Sequence, residues 1–288
     1  MINPKLSLVI GIICIAFSPI FVKLAGADAV ASAFYRILIA WVLLAPYCII
    51  KQKLKIAPKD MWLALLAGVV FASDIAVWNT SILMISATVS TLLANLAPVW
   101  VGLMSFIFLR KRSGWLFWLG TFVAIGGMLV LVGFQDLINL KFNLGIVLAV
   151  TASLLYSIYI MLTKGLLQRV DTITFMFYNM LGSAIFLLAV GMVRGVEMIH
   201  FATNTWLNFI GMGAICQLLG WLTINYAIGK LQATKTSVAL LSQTVFTAIF
   251  AAIMLNEKLA AKEVIGSVVV LAGIGVTFVK MKGAKTAS

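Results

Sequence analysis

The most regular feature of this sequence is a series of apolar runs, separated by short breaks rich in charge, Gly, Asn or Pro. An α-helix needs about 20 residues to cross a bilayer core of about 30 Å, and in lipid every backbone polar group must bond within the protein. We therefore predict an all-α polytopic membrane protein with ten transmembrane helices. The predicted spans lie near residues 6–25, 32–50, 61–80, 87–109, 114–134, 143–163, 172–193, 205–228, 236–255 and 262–280.

Composition and charge agree with a membrane protein. Hydrophobic residues make up 63% of the chain and charged residues only 10%, which excludes a soluble domain. The net charge of +13 does not indicate nucleic-acid binding, because Lys and Arg fall in short clusters between apolar runs. With the N-terminus inside, 15 of them lie in cytoplasmic segments and five outside, with Arg36 within a span. Cytoplasmic loops are enriched in such residues, so we expect both termini in the cytoplasm.

An internal repeat relates the two parts of the chain. A gapless shift of 146 residues superposes identical residues: Asn79 on Asn225, Ala87-Thr88 on Ala233-Thr234, Val99 on Val245, Leu109 on Leu255, Gly120 on Gly266, and Gly127 on Gly273. We predict two related five-helix repeats, residues 1–138 and 139–288. Because five is odd, the second repeat enters the membrane in the opposite sense, an arrangement typical of carriers that work by alternating access.

Several stretches resemble a known group of carriers. The segment from Asn79 to Arg112 and its partner from Tyr226 to Ile274 resemble the paired domains of the drug/metabolite transporter superfamily, specifically its ten-helix EamA-type carriers. Phe34-Tyr35-Arg36 and Ser18-Pro19 are similar to the family pattern too. The resemblance implies an exporter-like secondary carrier of amino acids or other small metabolites in the cell inner membrane, with a central cavity between the halves and no cofactor.

The sequence departs from this pattern at two places. The first half ends in Leu109-Arg110-Lys111-Arg112 where such carriers often have Gly-Glu-Arg, while the second keeps Asn256-Glu257-Lys258. In the ninth span Gln243-Thr244 stands where many members have Glu-Pro. A proline interrupts helical hydrogen bonding, so its loss predicts that the ninth span lacks the kink expected of the family.

Asp74 is the only acid well inside a predicted span. A carboxylate within the bilayer costs at least about 2.5–3.5 kcal/mol, so it should face the bundle interior and be paired or protonated. One hypothesis makes Asp74 a proton-coupling or amine-binding group. The other makes it half of a structural ion pair with Arg36, which lies toward the same side of the membrane. The two hypotheses are compatible, since a proton can exchange with the pair.

Polar and aromatic residues of the third and fourth spans are further candidates for a solute site. Trp78 lies one helical turn after Asp74 and Asn79 follows it, which places an aromatic wall beside polar groups. Asn95 lies near the middle of the fourth span, and Pro98 should free a backbone carbonyl there, as midplane sites require. The alternatives are an interfacial tryptophan and an interhelical hydrogen bond beside a kink. Pro19 is the second predicted kink.

The eighth and ninth spans carry a matching set of amides. Gln217, Trp221 and Asn225 are four residues apart and form a stripe on one side of the eighth span. Asn225 and its repeat mate Asn79 are candidates for gates at opposite membrane faces, and Gln243 is deep enough to join the cavity. Helix packing through polar hydrogen bonds is the alternative for these amides.

Other residues carry weaker signals. Tyr156, Tyr159 and Trp100 are candidates for an aromatic pocket, or for core or lipid-facing positions. The glycine pairs share a seven-residue spacing that predicts close helix packing, and a face of small residues is also compatible with a dimer, so we expect a monomer or a weak dimer. The paired glycines are Gly120 and Gly127 in the fifth span and Gly266 and Gly273 in the tenth.

The sequence does not favour an enzyme. It has a single histidine, His200, three cysteines without metal-ligand spacing, and no nucleotide-binding or zinc-protease motif. We therefore predict a secondary transporter of small metabolites that needs no metal or cofactor, with an uncoupled facilitator as one alternative. The alternative from another class is a membrane scaffold or lipid-handling protein that uses the repeat only for packing.

Overall fold

The computed structural model describes residues 3–85, 87–109, 114–132, 144–254 and 261–278, and this part of the chain contains helices and no strand. In chain order the helices are α1 (Pro4–Ala16), α2 (Ser18–Ala25), α3 (Ala29–Ile50), α4 (Pro58–Met84), α5 (Ala87–Ala94), α6 (Ala97–Leu109), α7 (Trp115–Val132), α8 (Leu144–Leu166), α9 (Thr172–Val193), α10 (Thr203–Lys230), α11 (Ala233–Leu240), α12 (Ser242–Met254) and α13 (Ala261–Phe278).

The chain is an all-helical polytopic membrane protein. Six segments of the described chain are long and apolar enough to cross a bilayer: α1 together with α2, and α3, α4, α8, α9 and α10. Shorter apolar stretches lie in α6, α7 and α13. Each predicted span contains helix, but the ends of the fifth, sixth, ninth and tenth runs lie outside the described residues, as do residues 110–113. The total of ten spans and the side on which the termini lie stay predictions.

Two of the spans are interrupted next to a predicted proline kink. The first is broken at Phe17, and the fourth is broken at Asn95 and Leu96. Pro19 and Pro98 each lie in the first turn of the helix that follows, where the missing N–H costs no helical bond. Both prolines therefore start a new helix rather than bend a continuous one.

The expectation that the ninth span lacks a kink is wrong. Without a proline, the span still breaks at Leu241, between α11 and α12. The amides of Leu241 and Thr244 donate to carbonyls three residues back, and the hydroxyl of Ser242 donates to the Ala239 carbonyl at 2.7 Å. Local hydrogen bonds of this kind compete with the α-helical pattern, so they interrupt the helix at this point without help from proline.

The eighth span contains an unusual helical segment. From Met212 to Gly220 the backbone of α10 is π-helical. Gly213 and Gly220 allow close approach here, since a Cβ atom at Gly213 would lie 2.7 Å from the Ile39 side chain. π-helical segments are rare and occur frequently at functional sites.

The four paired glycines hold α7 and α13 together. A Cβ atom on Gly120 would lie 2.5 Å from the carbonyl oxygen of Gly273, and one on Gly127 would lie 2.9 Å from that of Gly266. The predicted close packing is confirmed, and the order of the contacts makes the two helices antiparallel. Gly120 contacts the repeat mate of Gly127, and Gly127 contacts the repeat mate of Gly120, so the contact is reciprocal.

The helix bounds follow the repeat. Ala87 and Ala233, which begin α5 and α11, are 146 residues apart, as are Trp115 and Ala261, which begin α7 and α13. The breaks match as well, because Asn95 and Leu241 are separated by the same interval. The division into residues 1–138 and 139–288 stays a prediction that these intervals favour.

Candidate functional site

A cavity opens among helices α1 to α5, α8, α10 and α12, between the two predicted halves. Its empty space, including the open mouth, is about 500 Å³. Its walls are formed by Ile15, Ser18, Arg36, Asp74, Ile75, Trp78, Thr91, Ala94, Asn95, Tyr156, Trp221 and Gln243. The wall combines apolar and aromatic surface with a few polar groups, as small-molecule sites usually do.

Arg36 is the cation of this cavity, and it is held by two neutral side chains. Its Nε donates to Oε1 of Gln217 at 2.9 Å, and its Nη1 donates to Oγ of Ser18 at 2.8 Å. Gln217 comes from the π-helical segment of α10, and Ser18 begins α2 directly after the break at Phe17. Both irregular backbone segments therefore serve to position one buried guanidinium.

Asp74 is the acid of the cavity, and it lacks the predicted partner. Its side chain is buried, but no nitrogen of Arg36 lies within 4.0 Å of its carboxylate. In the described part of the chain no group hydrogen-bonds to Asp74 either. The predicted direct ion pair is absent because Arg36 bonds to Gln217 and Ser18 instead, although Arg36 and Asp74 line the same cavity.

Aromatic rings form much of the remaining wall. Trp221 makes edge contacts with Phe71 and Tyr156, with ring centroids 4.6 Å and 5.8 Å apart. Trp78 lies on α4 one turn beyond Asp74. The indole Nε1 atoms of Trp78 and Trp221 are buried without a hydrogen-bond acceptor, and both rings line the cavity. Buried donors are normally paired, so each of these two cavity-lining rings has an unmet hydrogen-bond donor.

Asn95 and Gln243 line the cavity beside the breaks of the fourth and ninth spans, and each forms a hydrogen bond to another broken span. Nδ2 of Asn95 donates to Oγ1 of Thr244 at 2.8 Å, which links the fourth span to the ninth. Nε2 of Gln243 donates to the carbonyl of Ile15 at 3.4 Å, two residues before the break of the first span. The amides therefore act both as cavity wall and as interhelical bridges.

The remaining predicted site residues do not line the cavity. Asn79 donates to the Ala29 carbonyl, Trp100 donates to Ser153, and Oδ1 of Asn225 accepts from the hydroxyl of Tyr159. These contacts fit the helix-packing alternative, and the gate role of the mirrored asparagines stays a prediction. Gln217 reaches the site only through Arg36.

The structure adds cavity residues that the sequence reasoning missed. Ile15, Ile75, Thr91 and Ala94 all line the cavity. Thr91 carried a usable signal, because it lies four residues before Asn95 and so on the same helix face. Ile15 and Ile75 carried none, since isoleucine is abundant in every span.

The site geometry fits a carrier better than a catalyst, and comparison with known proteins decides the class. The profile of the EamA-like transporter family matches residues 5–133 and again residues 143–279. This chain belongs to the EamA-like transporter family. It is therefore a multi-pass membrane transporter, and its resemblance to the drug/metabolite transporter superfamily is confirmed.

Relatives of this EamA-like protein are named as transporters. The "uncharacterized transporter YdfC" of Bacillus subtilis (strain 168) is 23% identical over 276 residues, covering 96% of this chain and 90% of the relative. An "uncharacterized transporter" of Archaeoglobus fulgidus is 27% identical over 274 residues, covering 92% and 93%. A "probable terminal-alkyne amino-acid exporter" of Streptantibioticus cattleyicolor is 25% identical over 192 residues, covering 66% and 63%.

The fold has a counterpart among solved structures. One crystal structure superposes with a TM-score of 0.79 at 13% sequence identity, covering 96% of this chain and 97% of the other. At that identity the likeness extends to the fold alone. It supports the helical arrangement that builds the cavity.

Proposed function

We propose that this EamA-like transporter is a secondary carrier that exports amino acids or similar small metabolites across the inner membrane by alternating access. Its ten spans form two inverted five-helix halves, residues 1–138 and 139–288, with both termini in the cytoplasm. The solute occupies the cavity between the halves.

The observation that carries this proposal is that a basic and an acidic side chain line one largely apolar cavity without a direct ion pair. Arg36 and Asp74 line the same space without touching, and the indoles of Trp78 and Trp221 add unpaired donors and aromatic surface. A solute that carries an ammonium, a carboxylate and a small apolar body satisfies all of these groups. A carboxylate accepts from the guanidinium and the indoles, while an ammonium pairs with Asp74.

Two features support alternating access. The fourth and ninth spans break at equivalent positions, and Asn95 and Thr244 bond across the two breaks. In the reciprocal contact of α7 with α13, each glycine of α7 lies against the repeat mate of the other. Carriers with inverted repeats build their sites at broken helices between the halves and rock one half against the other.

One relative further supports amino acids as the substrate class and export as the direction of transport. A relative that matches 66% of this chain is named as a probable amino-acid exporter. Membrane scaffolds have no need of a cavity lined by an acid, a base and unpaired donors, so the cavity favours transport over the packing alternative.

The thermal stability of the purified protein tests the proposal with a panel of amino acids, amines, carboxylic acids and nucleosides. A ligand that binds only the folded state raises the melting temperature. We expect amino acids to raise the melting temperature of the wild type. The rise should be smaller in Trp78→Phe, which keeps an aromatic ring but loses the indole donor, and it should be unchanged in Trp62→Phe. Trp62 is a suitable control because it is 66% exposed at the other end of α4. A flat response across the whole panel would contradict the proposal.

Uptake into proteoliposomes then tests transport itself. We expect the amino acids that stabilise the protein to cross vesicle membranes that contain it, and not to cross protein-free vesicles. Stabilisation without any flux would favour a binding protein or scaffold over a carrier.

A further inference from the structure

Asn179 on α9 is a buried amide outside the cavity, and its side chain is unpaired. The residue is 0% exposed, and within the described part of the chain neither Oδ1 nor Nδ2 has a hydrogen-bond partner. Buried polar side chains are nearly always hydrogen-bonded, because an amide loses its bonds to water on burial. Packing alone therefore does not account for an asparagine at this position.

The internal repeat makes Asn179 the mate of Arg36. Helices α3 and α9 each have 22 residues, and both their first and their last residues are 143 positions apart. The same interval separates Arg36 from Asn179, the eighth residue of each helix. Lys53, after the end of α3, lies 3.6 Å from Asp171, just before α9, so the two helices run in opposite directions. Arg36 is therefore nearer one membrane face and Asn179 is nearer the other.

A matching helix contact supports this equivalence. A Cβ atom on Gly213 of α10 would lie 3.2 Å from the carbonyl oxygen of Arg36, and one on Gly68 of α4 would contact the carbonyl oxygen of Asn179. Gly68 and Gly213 are 145 residues apart, as are the first residues of α4 and α10. The two halves therefore hold the backbones of Arg36 and Asn179 in the same way. Their side chains differ in surroundings, since only Arg36 lines the cavity.

We propose that Asn179 is a solute-binding residue of the opposite-facing state of the carrier, in which its amide donates to the solute carboxylate. The inference rests on the proposed function, because it requires alternating access. In this structure one half presents Arg36 to the cavity and the other half buries Asn179. When two inverted halves exchange conformations, the cavity opens to the other side, and Asn179 takes the place that Arg36 has here. The unpaired amide then gains a partner.

Asparagine suits a position that is buried in one state and open in the other. A charged side chain without partners would be desolvated in every cycle, whereas a neutral amide costs less to bury and still offers two N–H donors to a carboxylate. Arg36 avoids that cost through its bonds to Gln217 and Ser18. The solute carboxylate therefore meets a cation in one state and a neutral amide in the other.

Transport by Asn179→Leu tests the inference. Leucine has nearly the shape of asparagine and no polar side-chain atom, so the melting temperature should not fall. We expect exchange of a radiolabelled mixture of the twenty L-amino acids across proteoliposomes to slow about fivefold or more, as one lost hydrogen bond predicts. Asn179→Gln should restore part of the rate. Asn208→Leu is the matched control and should keep the rate, because Nδ2 of Asn208 bonds within its own helix, to the Asn204 carbonyl.

The outcomes separate this inference from the proposed function. A wild-type rate in Asn179→Leu, with an equal or higher melting temperature, would make Asn179 a packing residue and overturn the inference. No exchange by the wild type itself would instead contradict the proposed function.

Thiol labelling keeps the inference testable if the leucine variant folds poorly. The three buried cysteines, Cys14, Cys48 and Cys216, are first replaced by alanine. Asn179→Cys in proteoliposomes then receives a membrane-impermeant methanethiosulfonate cation on one side at a time. We expect reaction from the face at which α9 begins, and slower reaction when the amino-acid mixture is present. Met180→Cys, at the neighbouring buried position, should stay unreactive. If Asn179→Cys is as unreactive as Met180→Cys from both sides, Asn179 does not enter the cavity and the inference is wrong.

Discussion

Tyr35 and Tyr178 each bind the loop that follows the other's helix. The hydroxyl of Tyr35, near the start of α3, donates to the carbonyl of Met198 after the end of α9. The hydroxyl of Tyr178, near the start of α9, donates to the carbonyl of Leu54 after the end of α3 at 2.8 Å. The tyrosines are 143 residues apart, as are Ala29 and Thr172, which begin the two helices. The helices are antiparallel, so the two bonds lie at opposite ends of the pair.

This relationship extends the internal symmetry beyond the last spans of each half. Each tyrosine is preceded by a phenylalanine whose ring meets it edge-on, Phe34 at 5.0 Å and Phe177 at 5.3 Å. The gapless comparison that starts at Asn79 does not reveal this match, because the two Phe-Tyr pairs are 143 residues apart and not 146. The Phe34-Tyr35 motif seen in the sequence therefore has a mate, Phe177-Tyr178, and both serve as loop anchors.

Removing one hydroxyl should loosen one loop only. We expect Tyr35→Phe to accelerate amide hydrogen exchange several-fold in residues 194–202, since a lost hydrogen bond of about 1 kcal/mol changes an opening equilibrium by about fivefold. Tyr178→Phe should do the same in residues 51–57 and leave 194–202 unchanged. Exchange measured by mass spectrometry on both variants provides the control within one experiment. Equal loosening of both loops by either change would show that the bonds are not local anchors.

The loop held by Tyr35 also contains a pH-sensitive turn. The carboxylate of Glu197 accepts from the backbone N–H groups of Ile199 and His200, which holds its pKa below the ordinary glutamate value of 4.5. Because the folded pKa is depressed, this turn is stabilised above the unfolded pKa and the contribution is lost as pH falls through the folded value. The ¹³C carboxyl shift of Glu197 should therefore titrate below 4.5, and Glu197→Gln should remove the transition. Titration at or above 4.5 would contradict this geometry.

The sequence was a good guide to residues whose chemistry is rare in an apolar span. Asp74, Trp78 and Asn95 were predicted site residues, and they line the cavity. The sequence could not separate them from Asn79 and Asn225, which are equally polar but bond to a backbone carbonyl and a tyrosine. Which face of a buried helix meets the cavity depends on how neighbouring helices are rotated, and apolar spans without a polar side leave that rotation unspecified.

Backbone irregularity was predictable only where proline causes it. Pro19 and Pro98 marked two of the breaks, but the break at Leu241 depends on Ser242 bonding locally, and serine is common within membrane helices. The π-helical segment from Met212 to Gly220 had no sequence signal either. It depends on tertiary contacts, because Gln217 is positioned by Arg36 from another helix.

The bond between Asn95 and Thr244 should be a measurable link between the two broken spans. In a double-mutant cycle with Asn95→Ala and Thr244→Ala, we expect a coupling free energy of about 0.6 kcal/mol, which is typical of interhelical hydrogen bonds in membranes. Reversible unfolding in mixed detergent measures it. Thr151→Ala is the control partner for Asn95→Ala, because Thr151 bonds only within its own helix. Strict additivity of Asn95→Ala and Thr244→Ala would mean that the contact contributes nothing.

The contact of α7 with α13 should not tolerate a larger side chain. We expect Gly273→Val to destabilise the protein by about 1–3 kcal/mol, since its Cβ atom alone would lie 2.4 Å from the backbone nitrogen of Ala124. Gly275→Val is the matched control, with nothing within 4 Å of its added Cβ atom. Thermal unfolding of both variants tests the difference. Similar melting temperatures for the two would show that the helices separate easily.

Arg36 should bind the solute carboxylate most tightly while its own partners hold it in place. We expect Arg36→Lys to weaken binding of amino acids about tenfold or more, because lysine lacks the planar fork that donates to Gln217, Ser18 and a ligand at once. Gln217→Leu should weaken binding less, since it frees the guanidinium without removing it. Quenching of tryptophan fluorescence by the ligand measures the affinities, and Arg169→Lys at the exposed pair with Asp60 is the control. Amines that lack a carboxylate should bind the wild type and Gln217→Leu equally well. If Arg36→Lys binds amino acids as tightly as the wild type, the carboxylate is held elsewhere and the orientation proposed for the solute is wrong.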